Sequence, residues 1–298
     1  MTSGLNTTNW YTHATAFATP VNDTYPFISA HNTDSMRGKS VLITGASRGI
    51  GLTTAVHFAR AGCTKIALAA RSSLSEAQSA VEKAAAEANT KSPTILVLNM
   101  DISSADSVQA AAEQVKAAFG HLDILINNAG YLSSPQEIGS SDPAEYAKTW
   151  SINLNGTYLC VRYFLPLLLD SQLKTVINVA SAGAHVLFPG ASAYQTSKFA
   201  LCRFTEFLDA EYAARGLVAI ALDPGAVRTK LALNLPQRIH ELLTDTPEMA
   251  ADTMLWLCKE KREWLRGRFV TATWNMEDVE RRRDEIVERD MLKFRMLF

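Results

Sequence analysis

The chain has little of what would tie it to a metal, a membrane or a charged polymer. Its 298 residues include only four cysteines, Cys63, Cys160, Cys202 and Cys258, each inside a periodic apolar segment and none at paired or metal-ligand spacing. That pattern predicts reduced core thiols of an intracellular protein and no metal site. Basic and acidic residues nearly cancel, for a formal net charge of −1, so charge makes no case for nucleic acid or an anionic membrane surface. The longest apolar stretch, Tyr163 to Leu169, contains Pro166 and stops at Asp170, far short of the ~20 residues that span a bilayer. No basic segment followed by an apolar core stands at the N-terminus, so secretion is not expected and a cytoplasmic location is.

What is present is apolar and periodic. Hydrophobic residues make up 47% of the chain, enough for one large core. Strands are expected at 40–44, 65–70, 94–100, 122–127, 174–180, 217–222 and 267–272. Helical patterns lie between them at 50–61, 74–88, 104–119, 144–169, 195–215 and 247–260. Most strands are rich in Val, Ile and Leu on both faces, as a parallel sheet covered by helices requires. The alternation predicts a single-domain α/β fold, a doubly wound parallel sheet of about seven strands in a three-layer sandwich. The domain is expected over 37–274, with an N-terminal arm (1–36) carrying Trp10, Tyr11, Phe17, Tyr25 and Phe27, and a C-terminal tail (275–298). The arm reads as a segment laid across a surface or as a disordered leader. The tail reads as a charged surface helix with an apolar end.

Two features carry chemistry. After the apolar run Val41-Leu42-Ile43 comes Thr44-Gly45-Ala46-Ser47-Arg48-Gly49-Ile50-Gly51, then a helical pattern. Strand, glycine turn and helix is the layout that offers backbone N–H groups to a pyrophosphate, although the spacing is Gly-x-x-x-Gly-x-Gly. A tight turn without a ligand is the alternative. Further on, Tyr194 and Lys198 stand four apart, on one face of a helix. An ammonium beside a phenol favours phenolate and lowers its pKa, which makes a proton donor usable near neutral pH. Such a pair alone could be a solvated helix face, but Ser181 precedes the tyrosine by thirteen residues.

Together with Asp101-Ile102, Asn127-Asn128-Ala129-Gly130, Asn153 in Ile152-Asn153-Leu154-Asn155-Gly156, and Pro224-Gly225-Ala226-Val227-Arg228-Thr229, these make seven motifs in order. In them the chain resembles the short-chain dehydrogenase/reductases, over about Gly38 to Thr273, and its two extensions resemble a branch found in fungal natural-product pathways. The resemblance implies a Rossmann-type fold and reversible hydride transfer between nicotinamide and a carbonyl carbon. Ser181 would donate to the carbonyl oxygen, Tyr194 would give the proton, Lys198 would hold the ribose hydroxyls, and Asn153 would hold a water linking Lys198 to solvent. Gly45, Ser47, Arg48, Gly49, Ile50, Gly51, Asp101, Ile102, Asn128, Ala129 and Gly130 would line the cofactor, with Tyr194 and Lys198 touching it too. Pro224, Gly225, Val227 and Thr229 would meet its carboxamide end.

The second strand ends in Ala70-Arg71 where NAD-preferring relatives carry a carboxylate. Arg71, with Arg48 in the glycine turn, can pair with a 2′-phosphate, so NADP(H) is the expected cofactor. The alternative is a pair of ordinary surface arginines. Asp101 could equally serve a helix N-terminus, with Ser103 and Asp106 as a capping pair. The segment 226–246, with Leu231, Leu233 and Leu235, is expected to be a substrate lid, and Tyr131, His185 and Phe188 to face the same cleft. That suggests a medium-sized, largely apolar ketone or alcohol as substrate. His185 reads as orienting substrate or merely packed. A site of this kind could also run an epimerisation or a dehydration, or belong to an NADP-binding sensor or scaffold without turnover. Helices 144–169 and 195–215 are apolar on more than one face, which predicts a homodimer or homotetramer.

Overall fold

The computed structural model describes residues 14–29 and 34–296; Trp10 and Tyr11 of the arm and Leu297 and Phe298 of the tail lie outside them. Seven strands form one sheet in the order β3-β2-β1-β4-β5-β6-β7. They are β1 (Ser40–Thr44), β2 (Lys65–Ala70), β3 (Thr94–Asn99), β4 (Ile124–Asn127), β5 (Thr175–Val179), β6 (Val218–Asp223) and β7 (Arg268–Thr271). Every pairing is parallel.

Side-chain alternation across the sheet explains the layers. In β1, Val41 and Ile43 pack into a core with α1 (Gly49–Arg60), α2 (Ser75–Glu87) and α7 (Pro247–Cys258), through Phe58, Val81 and Met254. Leu42 points the other way, toward α3 (Ala105–Phe119), α5 (Thr157–Leu169) and α6 (Ser192–Tyr212), through Val115, Phe164 and Leu208. Both faces are buried, which is why the strands read as continuous apolar runs. The strand order reverses between β1 and β4, so connections leave in opposite directions there and open a crevice at the carboxyl ends.

Three elements differ from expectation. The pattern 144–169 is not one α-helix: α4 (Pro143–Trp150) passes through a π-helical turn, Ser151–Gly156, into α5. The tail is two short helices, α8 (Met276–Arg281) and α9 (Arg283–Glu288), whose inner side chains Met276, Val279 and Ile286 are buried. The cap of α3 is Ser104, whose hydroxyl accepts from the Ser107 N–H at 3.3 Å, rather than a Ser103–Asp106 pair. The arm is packed rather than loose: Phe17, Tyr25 and Phe27 lie against the core that α7 closes.

Candidate active site

The glycine turn takes its shape from what surrounds it. Gly45 and Gly49 have φ of +67° and +56°, a region that L side chains rarely adopt. A Cβ on Gly51 would lie 2.5 Å from both the Asn128 amide and the Gly45 carbonyl. Asn128 holds the turn from behind, donating through Nδ2 to the Thr44 carbonyl at 2.8 Å, while Thr44 Oγ1 accepts from the Asn128 and Ala129 N–H groups at 3.0 Å each. Asn128 therefore shapes the cradle. The following helix has no side-chain cap and no acid in its first turn, which leaves N–H groups and a positive dipole end toward a phosphate.

A cleft of about 500 Å³ runs over this turn, lined by Gly45, Ser47 to Gly51, Arg71, Ser72, Asp101, Ile102 and Asn128 to Tyr131. At its outer end Ser72 Oγ donates to Ser47 Oγ at 2.9 Å, and Arg71 lies 3.8 Å from Asp101. Burial works to raise the Asp101 pKa, but hydrogen bonds from Ser103 and the Arg71 charge outweigh it and hold the carboxyl low. Ser72 is a lining residue that motif reasoning missed; its only signal is its place after Arg71.

Ser181 follows β5, and its Oγ accepts from the Gly183 N–H at 3.0 Å. The turn it starts is pinned by Asp223, a buried carboxylate at the end of β6 that accepts from the Ala182 N–H at 2.9 Å and from Thr271 Oγ1 at 2.7 Å. Burial raises the Asp223 pKa, against the hydrogen bonds of Thr271, Ala182 and Gly225. Asp223 acts through Ser181's turn and was also missed; its signal is an acid directly before Pro224-Gly225. Gly225, at φ +86°, leaves no room for a Cβ, which would sit 2.6 Å from an Asp245 carboxylate oxygen. That oxygen accepts from the Ala226 N–H at 2.6 Å, so the two ends of the 226–246 segment are tied together beside the cleft.

Tyr194 and Lys198 stand on α6 as their spacing requires, but their electrostatics correct the sequence reading. Burial pushes the Tyr194 phenol up to about 12, opposed by a hydrogen bond with Ser181 and reinforced by Asp223. Burial lowers Lys198 to about 8. The Lys198 Nζ donates to the Val179 carbonyl at 2.7 Å and lies 5.7 Å from the centre of the tyrosine ring. The pair by itself does not depress the phenol.

Asn153 sits in the π-helical turn with its amide engaged on three sides. Its Oδ1 accepts from the Tyr131 N–H at 2.7 Å, and its Nδ2 donates to the Tyr131 carbonyl at 2.9 Å and to Ser197 Oγ at 3.0 Å. The side chain is a clamp between the β4 loop and α6, so any water would have to use its carbonyl, which accepts from Thr157 Oγ1 at 3.0 Å. A carbonyl has a second lone pair for that purpose.

A second, larger cavity of about 1010 Å³ adjoins the first, and Ser181, Phe188, Tyr194, Pro224, Gly225, Val227, Thr229 and Leu231 line it. Tyr131 lines the smaller cleft instead, with its hydroxyl on Glu145 and Lys148. His185 is the clear correction: it lines neither cavity, stacking on Phe294 at 4.5 Å and meeting Phe269 edge-on at 4.4 Å. Leu233 also points away, 42% exposed. Among the described residues no group of three or more His, Cys, Asp or Glu could hold a metal ion, and no helix is long and apolar enough to cross a membrane.

A family model described as short chain dehydrogenase matches residues 39–239. The Monascus purpureus protein named short chain dehydrogenase mpl6 is 48% identical over 276 residues, covering 93% of this chain and 94% of its own. Among solved structures, a Shigella flexneri short chain dehydrogenase complexed with NADP is similar with a TM-score of 0.71 and 26% identity, over 80% of this chain and 99% of that one. A 3-ketoacyl-(acyl-carrier-protein) reductase from Brucella melitensis complexed with NADH gives 0.69 and 29%, over 79% and 97%.

Proposed function

Because the chain belongs to the short chain dehydrogenase family, we propose that it is an NADP(H)-dependent oxidoreductase interconverting a ketone and a secondary alcohol on a largely apolar substrate. One observation carries this reading: Tyr194 lines both cavities, with Ser181 on the larger side and Lys198 on the smaller. A proton donor at that junction can reach a carbonyl held in one space by a hydride source held in the other.

The smaller cleft fits a dinucleotide. Its uncapped helix start and side-chain-free glycines suit a pyrophosphate approaching the backbone closely. Ser47, Arg48, Arg71 and Ser72 gather charge and donors at the outer end, and Ala70 ends β2 without an acid. Arg71's exposed pairing with Asp101 is weak enough to exchange for a phosphate. Nicotinamide, when bound, supplies the hydride in reduction and accepts it in oxidation.

During reduction, negative charge grows on the carbonyl oxygen. Ser181 accepts a hydrogen bond from Gly183 N–H and shares one with the Tyr194 hydroxyl; its hydroxyl can turn to donate to a carbonyl oxygen that enters beside both. Tyr194 gives its proton to the forming alkoxide. Lys198, within the smaller cleft, holds ribose hydroxyls. A water on the Asn153 carbonyl returns a proton from solvent by way of Lys198.

The test is a scan of ketones with NADPH and NADH, followed at the nicotinamide absorbance band, in the wild type and in Tyr194→Phe. The substitution is expected to lower the rate by about 10²–10⁴-fold, the usual scale for a positioned acid, with NADPH binding retained. A variant keeping most of its activity removes Tyr194 as the acid. A Michaelis constant no lower for NADPH than for NADH removes the cofactor assignment. Tight NADPH binding with no ketone reduced would instead favour a sensor.

A further inference from the structure

The larger cavity is not enclosed by the βα loops alone. Ala14, Val21 and Asn22 of the N-terminal arm line it together with Ser181 and Tyr194. The arm reaches that position by pairing with the chain just beyond β7. Pro20 and Trp274 form an antiparallel bridge, Val21 N–H donates to the Thr273 carbonyl at 2.8 Å, and Asn275 N–H donates to the Thr19 carbonyl at 2.8 Å. Trp274, itself a lining residue, donates through its indole nitrogen to the Ala14 carbonyl at 2.9 Å. On the other side Thr246, at the foot of the 226–246 segment, donates through its N–H to the Asn22 carbonyl at 3.0 Å.

The segment is held firmly enough to act as a wall. Phe17 packs on Trp274 with ring centres 4.7 Å apart, and Arg282 lies 4.1 Å over the Phe17 ring while donating to its carbonyl at 2.8 Å. Thr24 Oγ1 donates to the buried Asp252 at 2.5 Å, and the other Asp252 oxygen pairs with His57 Nδ1 at 2.6 Å. A segment fixed at both ends cannot yield to a ligand as a loose leader would.

We propose that residues 14–22 form the far wall of the substrate chamber and select for an elongated apolar body attached to the reacting carbonyl. The proposal rests on the reductase reading for the identity of the reacting group, but not for the wall. About 1010 Å³ is at the upper end of the range of small-molecule sites, roughly 300–1,000 Å³. A small ketone beside Ser181 leaves most of that space wet, and only an extended apolar body displaces water from the surfaces of Val21 and Trp274.

The test measures binding rather than turnover. Acetophenone and para-acetylbiphenyl, a short and a long aryl ketone, are titrated by calorimetry into the wild type and into Val21→Trp, each with oxidised cofactor so that no ketone is reduced. Val21→Trp is expected to weaken the biphenyl ketone by about 10-fold or more, the scale of overpacking a filled site, and to leave acetophenone within about twofold. Asn22→Trp projects into the same end from an exposed position and takes its place, with the same expected pattern, if Val21→Trp fails to fold. Equal losses for both ketones, no loss for either, or no biphenyl binding to the wild type overturns the proposal. If the binding pattern holds but neither ketone is reduced with NADPH, the reductase reading fails and the wall stands.

Discussion

In the proposed reductase, Lys198 sets how the rate responds to pH. Burial lowers it from 10.5 to about 8, whereas Tyr194 is raised to about 12 and keeps its proton across the working range. The proposed carbonyl reduction needs both groups protonated. The value of kcat/KM for reduction should therefore be full below about 8 and fall as pH rises through it, because that parameter reports the free enzyme. In Lys198→Met the remaining slow reaction should lose that fall. A wild-type profile flat to about pH 10, near the ordinary lysine value, contradicts the assignment. The same shift has a stability sign. Between about 8 and 10.5 the unfolded chain binds the proton that the folded one has released, so this lysine's cost to stability is present below that window and relieved across it.

At the scale of elements, much was legible because periodicity reports burial. Strands 40–44 and 65–70 coincide with β1 and β2, and the other five differ only at their ends, where hydrogen-bond bookkeeping is softest. The π-helical turn at Ser151–Gly156 was not legible, since one extra residue per turn barely disturbs an apolar pattern spread round the helix. Nor was His185's orientation, because the short helical turn at Ala182–Ala184 swings it onto Phe269 and Phe294 from the tail side. The arm's role was hidden for a different reason. Its attachments, backbone hydrogen bonds to Thr273 and Asn275 and side-chain contacts such as Phe17–Trp274 and Thr24–Asp252, join residues more than 200 apart in the chain, and no local pattern encodes them. The Thr24–Asp252 contact can be tested as an element's anchor. Asp252→Ala removes the acceptor shared by Thr24 and His57, and should cost about 1–3 kcal/mol, the penalty for disrupting buried hydrogen bonding, read as a shift in urea midpoint. An unchanged midpoint would show that the Thr24–Asp252 contact is not an anchor of the arm.

For the whole molecule the open surfaces matter most. The backbone N–H of Phe269 on the edge strand β7 is paired with the Leu292 carbonyl of the tail at 2.8 Å. Every residue of α7 from Met249 to Cys258 is buried, with Phe27 of the arm 6.1 Å from Trp256. That side of the sheet is closed by the chain's own extensions. Among the described residues, the opposite side is not. Tyr158 on α5 is 46% exposed and Phe207 on α6 is 54% exposed, with Phe204 6.4 Å from Tyr158. The described tail residues cover a neighbouring stripe of α6, where Phe294 meets Phe199 at 4.7 Å and Arg295 pairs with Glu206 at 2.7 Å. An apolar strip left on two adjacent helices is well suited to a self-complementary contact. We therefore expect a homodimer through α5 and α6, with the β7 side excluded from a second interface. Light scattering at micromolar concentration should give twice the single-chain mass, and Phe207→Glu, which sets a charge into the strip, should return it to one. A wild-type monomer refutes the dimer, and a wild-type tetramer refutes the closure of the β7 side. If the variant stays dimeric, the contact lies elsewhere than on this strip.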